Sequence, residues 1–245
     1  MLKAESFILT YNDFGKELIR KSNETFKNTK AEIPLGNQGE VPNLYILKRL
    51  ALITTIYNNQ QLRSYNVWPI TPLQSELLLK QDRLPKNPGV YWWEEDLALI
   101  LYDRSTKGTN PKEAKALYES LKQHKQELKL TDSDLESRLL IISPGLEVDQ
   151  DMPHKVKPIV LPGITTAYVH PVLKKTGNCK FEYGLEQGLP SVNDLNKGTR
   201  TLYMPEENKD IGLRVVYRVW NLDLSVRDRS LADSHAGGRV SFFSP

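Results

Sequence analysis

The chain has one cysteine among its 245 residues, Cys179, and therefore cannot form an intrachain disulfide. A single thiol without a Cys/His spacing around it also argues against a structural zinc site. Proteins without disulfides are typical of reducing compartments. We therefore expect a cytoplasmic protein whose stability does not depend on disulfides or zinc.

Long hydrophobic runs are also missing from the sequence. No stretch approaches the roughly 18 apolar residues that a membrane-spanning helix needs. The amino terminus offers only the short run Phe7-Ile8-Leu9 before polar residues follow, which is too short for the apolar core of a signal peptide. We expect a soluble protein that does not bind a membrane.

The charge of the chain is nearly balanced, with 33 basic and 30 acidic side chains and a formal net charge of +3. A dedicated duplex-DNA-binding protein is usually much more basic. The sequence also lacks a G-x-S-x-G elbow, a phosphate-binding G-x-x-x-x-G-K-[ST] loop, an H-E-x-x-H helix and a G-x-G-x-x-G fingerprint. The common hydrolase, nucleotide and dinucleotide chemistries are therefore without support from a motif.

Apolar residues make up 39% of the chain, and 11 Tyr, 6 Phe and 4 Trp are enough to build a core. Helical periodicity predicts helices over 13–27, after Pro42, from Thr71 to about Lys80, and after Asn110. From Pro144 onward, proline and glycine recur every few residues and apolar runs shorten to strand length. The sequence predicts an α+β fold with a helix-rich portion at 1–145 and a β-rich portion at 146–245, which can pack as one domain.

Residues 90–102 contain two apolar runs separated by Glu94-Glu95-Asp96. They can form a hairpin with an acidic turn or one long bulged strand. The second run is apolar on both faces, as expected of a central strand. Of the two interpretations we favour the hairpin.

The same region carries the strongest enzymatic alternative. Metal-dependent nucleases gather carboxylates and often a lysine around Mg²⁺, and the nearest match here is Glu95, Asp96, Asp103 and Lys107. This alternative predicts Mg²⁺- or Mn²⁺-dependent cleavage of DNA or RNA. Charged residues at strand ends are, however, ordinary solvated groups in most proteins.

The carboxyl-terminal stretch 212–240 concentrates five arginines, three aspartates and one histidine. Strand alternation places Leu213, Val215, Tyr217 and Val219 on a core face, so that Arg214, Arg218 and Trp220 share the opposite, exposed face. The next arginines, Arg227 and Arg229, alternate in sign with Asp228. Such a face can bind single-stranded nucleic acid by phosphate contact and base stacking, or a protein through arginine stems over an aromatic ring.

Tyrosine, tryptophan and mixed-sign arginine segments are typical of contact surfaces. The sequence thus favours a non-catalytic structural or assembly subunit of a larger protein or nucleoprotein complex, such as a phage-type particle. Its partners would be other protein subunits, either further copies or different chains, with nucleic acid as an alternative. Arg214, Arg218, Trp220, Arg227 and Arg229 are the predicted binding residues, and no cofactor is expected outside the Mg²⁺ alternative.

Overall fold

A computed structural model describes residues 5–83, 92–100, 110–137, 139–174, 177–204, 212–219, 221–226, 230–232 and 238–244. Within 92–100 the description covers the backbone. The described residues form six α-helices and thirteen strands, with the helices in the first 137 residues, which confirms the predicted α+β class.

The helices are α1 (Asp13–Phe26), α2 (Ile46–Asn58), α3 (Gln60–Ser64), α4 (Pro72–Lys80), α5 (Pro111–Gln123) and α6 (Asp132–Ser137). The strands are β1 (Glu5–Ile8), β2 (Trp68–Pro69), β3 (Trp92–Ile100), β4 (Leu139–Ser143), β5 (Gly145–Val148), β6 (Val156–Ile159), β7 (Thr166–Val169), β8 (Cys179–Phe181), β9 (Arg200–Tyr203), β10 (Leu213–Val219), β11 (Leu224–Ser225), β12 (Gly238–Arg239) and β13 (Ser241–Ser244). Two short 3₁₀ turns, Pro171–Lys174 and Val192–Asp194, lie between strands of the carboxyl-terminal half.

The capping residues predicted for α4 are confirmed. The Thr71 hydroxyl accepts a hydrogen bond from the backbone N–H of Gln74, and the Gln74 side-chain carbonyl accepts one from the backbone N–H of Thr71. Pro72 lies in the first turn. This reciprocal pairing satisfies two amide groups that have no partner within the helix. The start of α4 is therefore fixed by local sequence.

The main sheet has eight strands and draws on both halves of the chain. Its strands lie in the order β7-β4-β3-β10-β11-β9-β8, and β12 adds to β3. Strand β10 pairs antiparallel with β3, which pairs antiparallel with β4. The sheet thus crosses the boundary near residue 145, and the division into two portions stays a prediction.

Residues 92–100 form one strand, so the predicted hairpin with an acidic turn is wrong. The pairing of β3 with β10 shifts register between Val216 and Tyr217, where Val216 lies opposite Asp96 and Tyr217 lies opposite Glu94. One extra residue, Glu95, is accommodated there as a bulge. The acidic triplet Glu94-Glu95-Asp96 therefore lies inside β3, a central strand that pairs with β10 on one side and with β4 on the other.

Helix α2 lies between two hydrophobic cores and contributes side chains to both. Leu47 and Leu50 pack with apolar residues of the eight-stranded sheet, whereas Leu52 and Ile56 pack beneath a second sheet of three strands in the order β1-β13-β2. A helix that contacts apolar residues on every side is typical of a protein interior. Helix α2 therefore joins the two sheets into one packed body.

Both faces of the central strand β10 are buried. Along β10, Val215 and Tyr217 enter the core that contains α2, while Val216 enters a third core formed with carboxyl-terminal strands and loops. A central strand covered on two sides excludes solvent from all its side chains. In the described part of the chain, no helix has the length and apolar content of a membrane span.

Candidate interaction surface

A buried carboxylate on α4 meets two arginines from the main sheet. Glu76 is 1% exposed and lies within 2.7 Å of Arg218 Nη1 through its Oε1 atom. Arg200 donates two parallel hydrogen bonds to the same carboxylate, at 2.8 and 2.9 Å. A bidentate guanidinium pair combines charge with fixed geometry. The three side chains thus hold α4 against β9 and β10.

Backbone carbonyls and an aromatic ring complete the coordination of the two guanidinium groups. The carbonyl of Leu222, a residue with a positive φ of 69°, accepts hydrogen bonds from both Arg200 and Arg218. The Arg200 guanidinium also lies 4.4 Å from the centre of the Phe181 ring. Arg218 Nε donates to the Ser75 hydroxyl at 3.2 Å. Buried charges require such dense pairing because they have lost their hydration.

Two opposing effects set the pKa of Glu76. Burial raises the pKa of this carboxyl group, whereas the charges of Arg218 and Arg200, the hydrogen bonding of Arg200 and a hydrogen bond with the Gly184 backbone lower it. The net result is a pKa below the ordinary value of a glutamate. Glu76 is therefore held as an anion inside the protein.

A loop at 182–190 runs beside α4 and contacts it at two glycines. A Cβ atom on Gly184 would lie 2.8 Å from Glu76 Cγ, and one on Gly188 would lie 2.2 Å from the backbone carbon of Pro72. Gly188 also has a positive φ of 80°. Only glycine allows this close approach without strain. The loop therefore packs directly on the first two turns of α4.

The other side of this loop is anchored by the end of β7. His170 is fully buried and donates a hydrogen bond from Nε2 to the Glu186 carbonyl at 3.0 Å. The Tyr168 hydroxyl donates to the Gln187 carbonyl at 3.0 Å. Burial lowers the pKa of His170, which keeps the imidazole neutral near pH 7.

The outer side of α4 and its loop exposes four large apolar side chains. Leu73 and Leu77 are 39% and 49% exposed, and Tyr183 and Leu185 on the loop are 36% and 54% exposed. Leu73 and Leu77 lie on one helix face because they are four residues apart. Lys80 Nζ lies 5.6 Å from the Tyr183 ring centre, which brings the loop beside the last turn of α4. We call these four residues the α4 surface.

The structure corrects the predicted exposure of the arginine face on β10. Arg214 is 1% exposed and Arg218 is fully buried, so the expectation that both lie on an exposed face is wrong. The predicted alternation along the strand is confirmed, but a second layer that includes α4 covers the arginine side. Their predicted role in binding a partner stays a prediction.

The remaining predicted site residues are not brought together in the described part of the chain. Trp220, Arg227 and Arg229 lie outside the described residues, as do Asp103 and Lys107 of the nuclease alternative. Glu95 and Asp96 lie within β3, where the backbone is described. Among the described residues, no three His, Cys, Asp or Glu side chains form a group that could hold a metal ion.

Sequence reasoning missed Glu76 and the α4 surface. The segment Leu73 to Leu79 contains four leucines, and the usual expectation is that they are buried and the glutamate is exposed. Here α4 buries Glu76 and leaves Leu73 and Leu77 in solvent. The sequence does show two leucines four residues apart, Leu73 and Leu77, beside the acidic Glu76. This pattern by itself does not identify which side of the helix is buried.

No protein-family model, curated protein or solved structure matches the chain.

Proposed function

We propose that the protein is a non-catalytic assembly subunit that binds a different polypeptide through the α4 surface. The observation that carries this proposal is that α4 buries the carboxylate of Glu76 and leaves two of its four leucines, Leu73 and Leu77, exposed. Single exposed apolar residues are ordinary, but a cluster of them on one surface is typical of a contact site. Tyrosine and leucine together offer a large apolar area for a partner to cover.

The rigid support beneath the α4 surface favours a binding role. Glu76, Arg200 and Arg218 fix the inner side of the helix, while His170 and Tyr168 fix the loop. A surface that is ordered before binding loses less conformational entropy when the partner arrives. The buried ion cluster therefore contributes to affinity through the surface that it supports.

The charges around the α4 surface indicate the chemistry of the partner. Glu182 and Glu186 are exposed on the loop and flank Tyr183 and Leu185. The Lys80 ammonium group lies over the Tyr183 ring. Charge complementarity across an interface favours the opposite sign beside each carboxylate. The proposed partner is thus a protein segment with apolar anchor residues and flanking lysine or arginine side chains.

Site-specific photo-crosslinking in the native cell tests this proposal. A benzophenone amino acid replaces Leu77 in one variant and Leu35 in a matched control, since Leu35 is a 78% exposed leucine outside the α4 surface. The expected result is a crosslink from position 77, absent from position 35, to a different polypeptide at a peptide that combines apolar and basic residues. Glu182→Lys together with Glu186→Lys should then weaken the crosslink.

Three results would overturn the proposal. The first is an equal crosslinking yield at positions 77 and 35, which would show that the α4 surface has no specific partner. The second is a crosslink to nucleic acid, which would favour the nucleic-acid alternative. The third is a crosslink from position 77 to a second copy of the chain, which would replace the heterologous partner with self-association.

A further inference from the structure

A cleft of about 390 Å³ lies where the two sheets approach each other. One wall is the three-stranded sheet, where Trp68 of β2 lies opposite Phe243 of β13 in the antiparallel register. The other wall is the end of the β4–β7 pair, where Ser143 lies opposite Thr166. Its volume falls within the range of small-molecule sites, which is about 300–1,000 Å³.

The apolar part of the cleft suits a planar ring. Trp68 and Phe243 both line the cleft, and Ile53 of α2 and Ile164 contribute aliphatic surface. Ile53 is 4% exposed and forms part of the core, so this surface is held in place by packing. Aromatic side chains favour stacked or edge-on contacts with a flat ligand.

The polar part of the cleft is uncharged and comes from both walls. Ser143 and Thr166 are register neighbours, so their side chains lie on one side of the strand pair. Asn66 and Gln74 bring carboxamide groups from the segment around α4. The Gln74 carbonyl oxygen is already engaged by Thr71, which orients this amide. Hydroxyl and amide groups can both donate and accept hydrogen bonds.

We propose that this cleft binds a neutral small molecule with a planar ring and a carboxamide-like hydrogen-bonding edge. The ring lies against Trp68 and Phe243, and the edge faces Ser143 and Thr166. None of the described residues that line the cleft is charged. An ionic ligand would lose hydration there without gaining a charged partner, which is costly. This proposal does not depend on the binding of a partner at the α4 surface, and none of the four α4 surface residues lines the cleft.

Three ligands of nearly equal size and different charge test the proposal: benzamide, benzoate and benzamidinium. Binding to the full chain is followed by ligand-observed NMR and by changes in the protein amide spectrum. A ligand of this size should bind with a Kd on the order of 1 mM. Benzoate and benzamidinium should bind at least about 10-fold more weakly than benzamide.

Two variants and one control locate the site. Thr166→Trp places a bulky ring at an exposed position on the rim and should weaken benzamide binding by about 10-fold or more. Thr199→Trp makes the same change at another exposed threonine, away from the cleft lining, and should leave binding unchanged. Thr166→Val preserves shape and removes one hydroxyl, so it should weaken binding by about 2- to 10-fold.

The binding results for the three ligands and the three variants either support the proposed site or contradict it. Saturable benzamide binding that is lost in Thr166→Trp, retained in Thr199→Trp and weak for both ions supports the proposal. Equal binding of the three ligands overturns it, since the cleft would then not select a neutral molecule. Absence of saturable benzamide binding, or binding unaffected by both Thr166 variants, overturns it as well.

Discussion

Arg218 Nη1 lies 2.7 Å from Glu76 Oε1, and the exposed fractions of the two side chains are 0% and 1%. This contact joins the central strand β10 to α4, a helix from the opposite half of the chain. Arg200 binds the same carboxylate from β9. One buried anion therefore positions a helix whose outer side carries Leu73 and Leu77.

Replacing the anion should destabilise the protein strongly. In Glu76→Gln, the guanidinium groups of Arg200 and Arg218 lose a buried countercharge, and removal of one partner of such a pair costs about 3–5 kcal/mol. Urea unfolding of the full chain measures this change. The control is Glu17→Gln, because Glu17 pairs with Arg20 on the exposed side of α1. Equal unfolding midpoints for the two variants would contradict the proposed role of the ion cluster.

The same carboxylate should make stability sensitive to acid. Since the pKa of Glu76 is lower in the folded protein than the ordinary 4.5, the unfolded chain binds more protons below that pH. Its stabilising contribution is thus complete above about pH 4.5 and is lost as pH falls through the folded-state pKa. Urea unfolding is measured between about pH 6 and about pH 3, which extends roughly one and a half units to each side of the ordinary glutamate pKa. The free energy of unfolding should fall more steeply with decreasing pH for the natural chain than for Glu76→Gln. Parallel pH profiles would contradict the lowered pKa.

The local sequence predicts where α4 begins but not which side it buries. Thr71 and Gln74 form the capping box within four residues of each other, so their pairing needs no distant partner. Burial of Glu76 instead depends on Arg200 and Arg218, which are more than a hundred residues away in the chain. No periodicity within α4 carries that information.

The arginines of β10 illustrate the same limit. Alternation correctly separates Val215 and Tyr217 from Arg214 and Arg218, because side chains of a strand point to opposite faces. The charge of these arginines predicts that their face is exposed to solvent. The distant helix α4 overturns that inference, since its Glu76, together with the nearby Leu222 carbonyl, takes the place of water around Arg218.

Gly188 should be far less tolerant of a side chain than Gly39. Both glycines have a positive φ, of 80° and 78°, so each alanine variant costs about 1 kcal/mol in backbone strain. Only Gly188→Ala also places a Cβ atom 2.2 Å from the Pro72 backbone, whereas nothing lies within 4 Å at Gly39. Thermal unfolding should show a further loss of about 1–3 kcal/mol for Gly188→Ala. Equal stabilities would show that the loop does not pack tightly on α4.

Lys48 should titrate well below an ordinary lysine. Burial lowers its pKa to about 8, although the charge of Glu32 acts in the opposite direction. Its Nζ atom lies 4.6 Å from the centre of the Tyr45 ring. NMR of lysines labelled with ¹³C-methyl groups should contain one resonance with a midpoint near 8 that disappears in Lys48→Arg. A midpoint near the ordinary 10.5 for that resonance would contradict this prediction.

Protonation of His170 should loosen the 182–190 loop. Burial lowers the pKa of His170 below the ordinary 6.5, although the charge of Glu186 and hydrogen bonds with the Glu186 and Leu189 backbone act in the opposite direction. The unfolded or open form thus binds the proton more readily, and stability present above about pH 6.5 is lost as pH falls through the folded-state pKa.

Hydrogen exchange of the Leu185 and Leu189 amides, which bond within the loop, measures this opening. After correction for the intrinsic effect of pH, exchange should be faster at about pH 5.5 than at about pH 7.5, on either side of the ordinary histidine pKa. The difference should vanish in His170→Gln, whose amide can still donate to the Glu186 carbonyl, and persist in His124→Gln at the end of α5. A pH effect that survives in His170→Gln would assign the opening to another group.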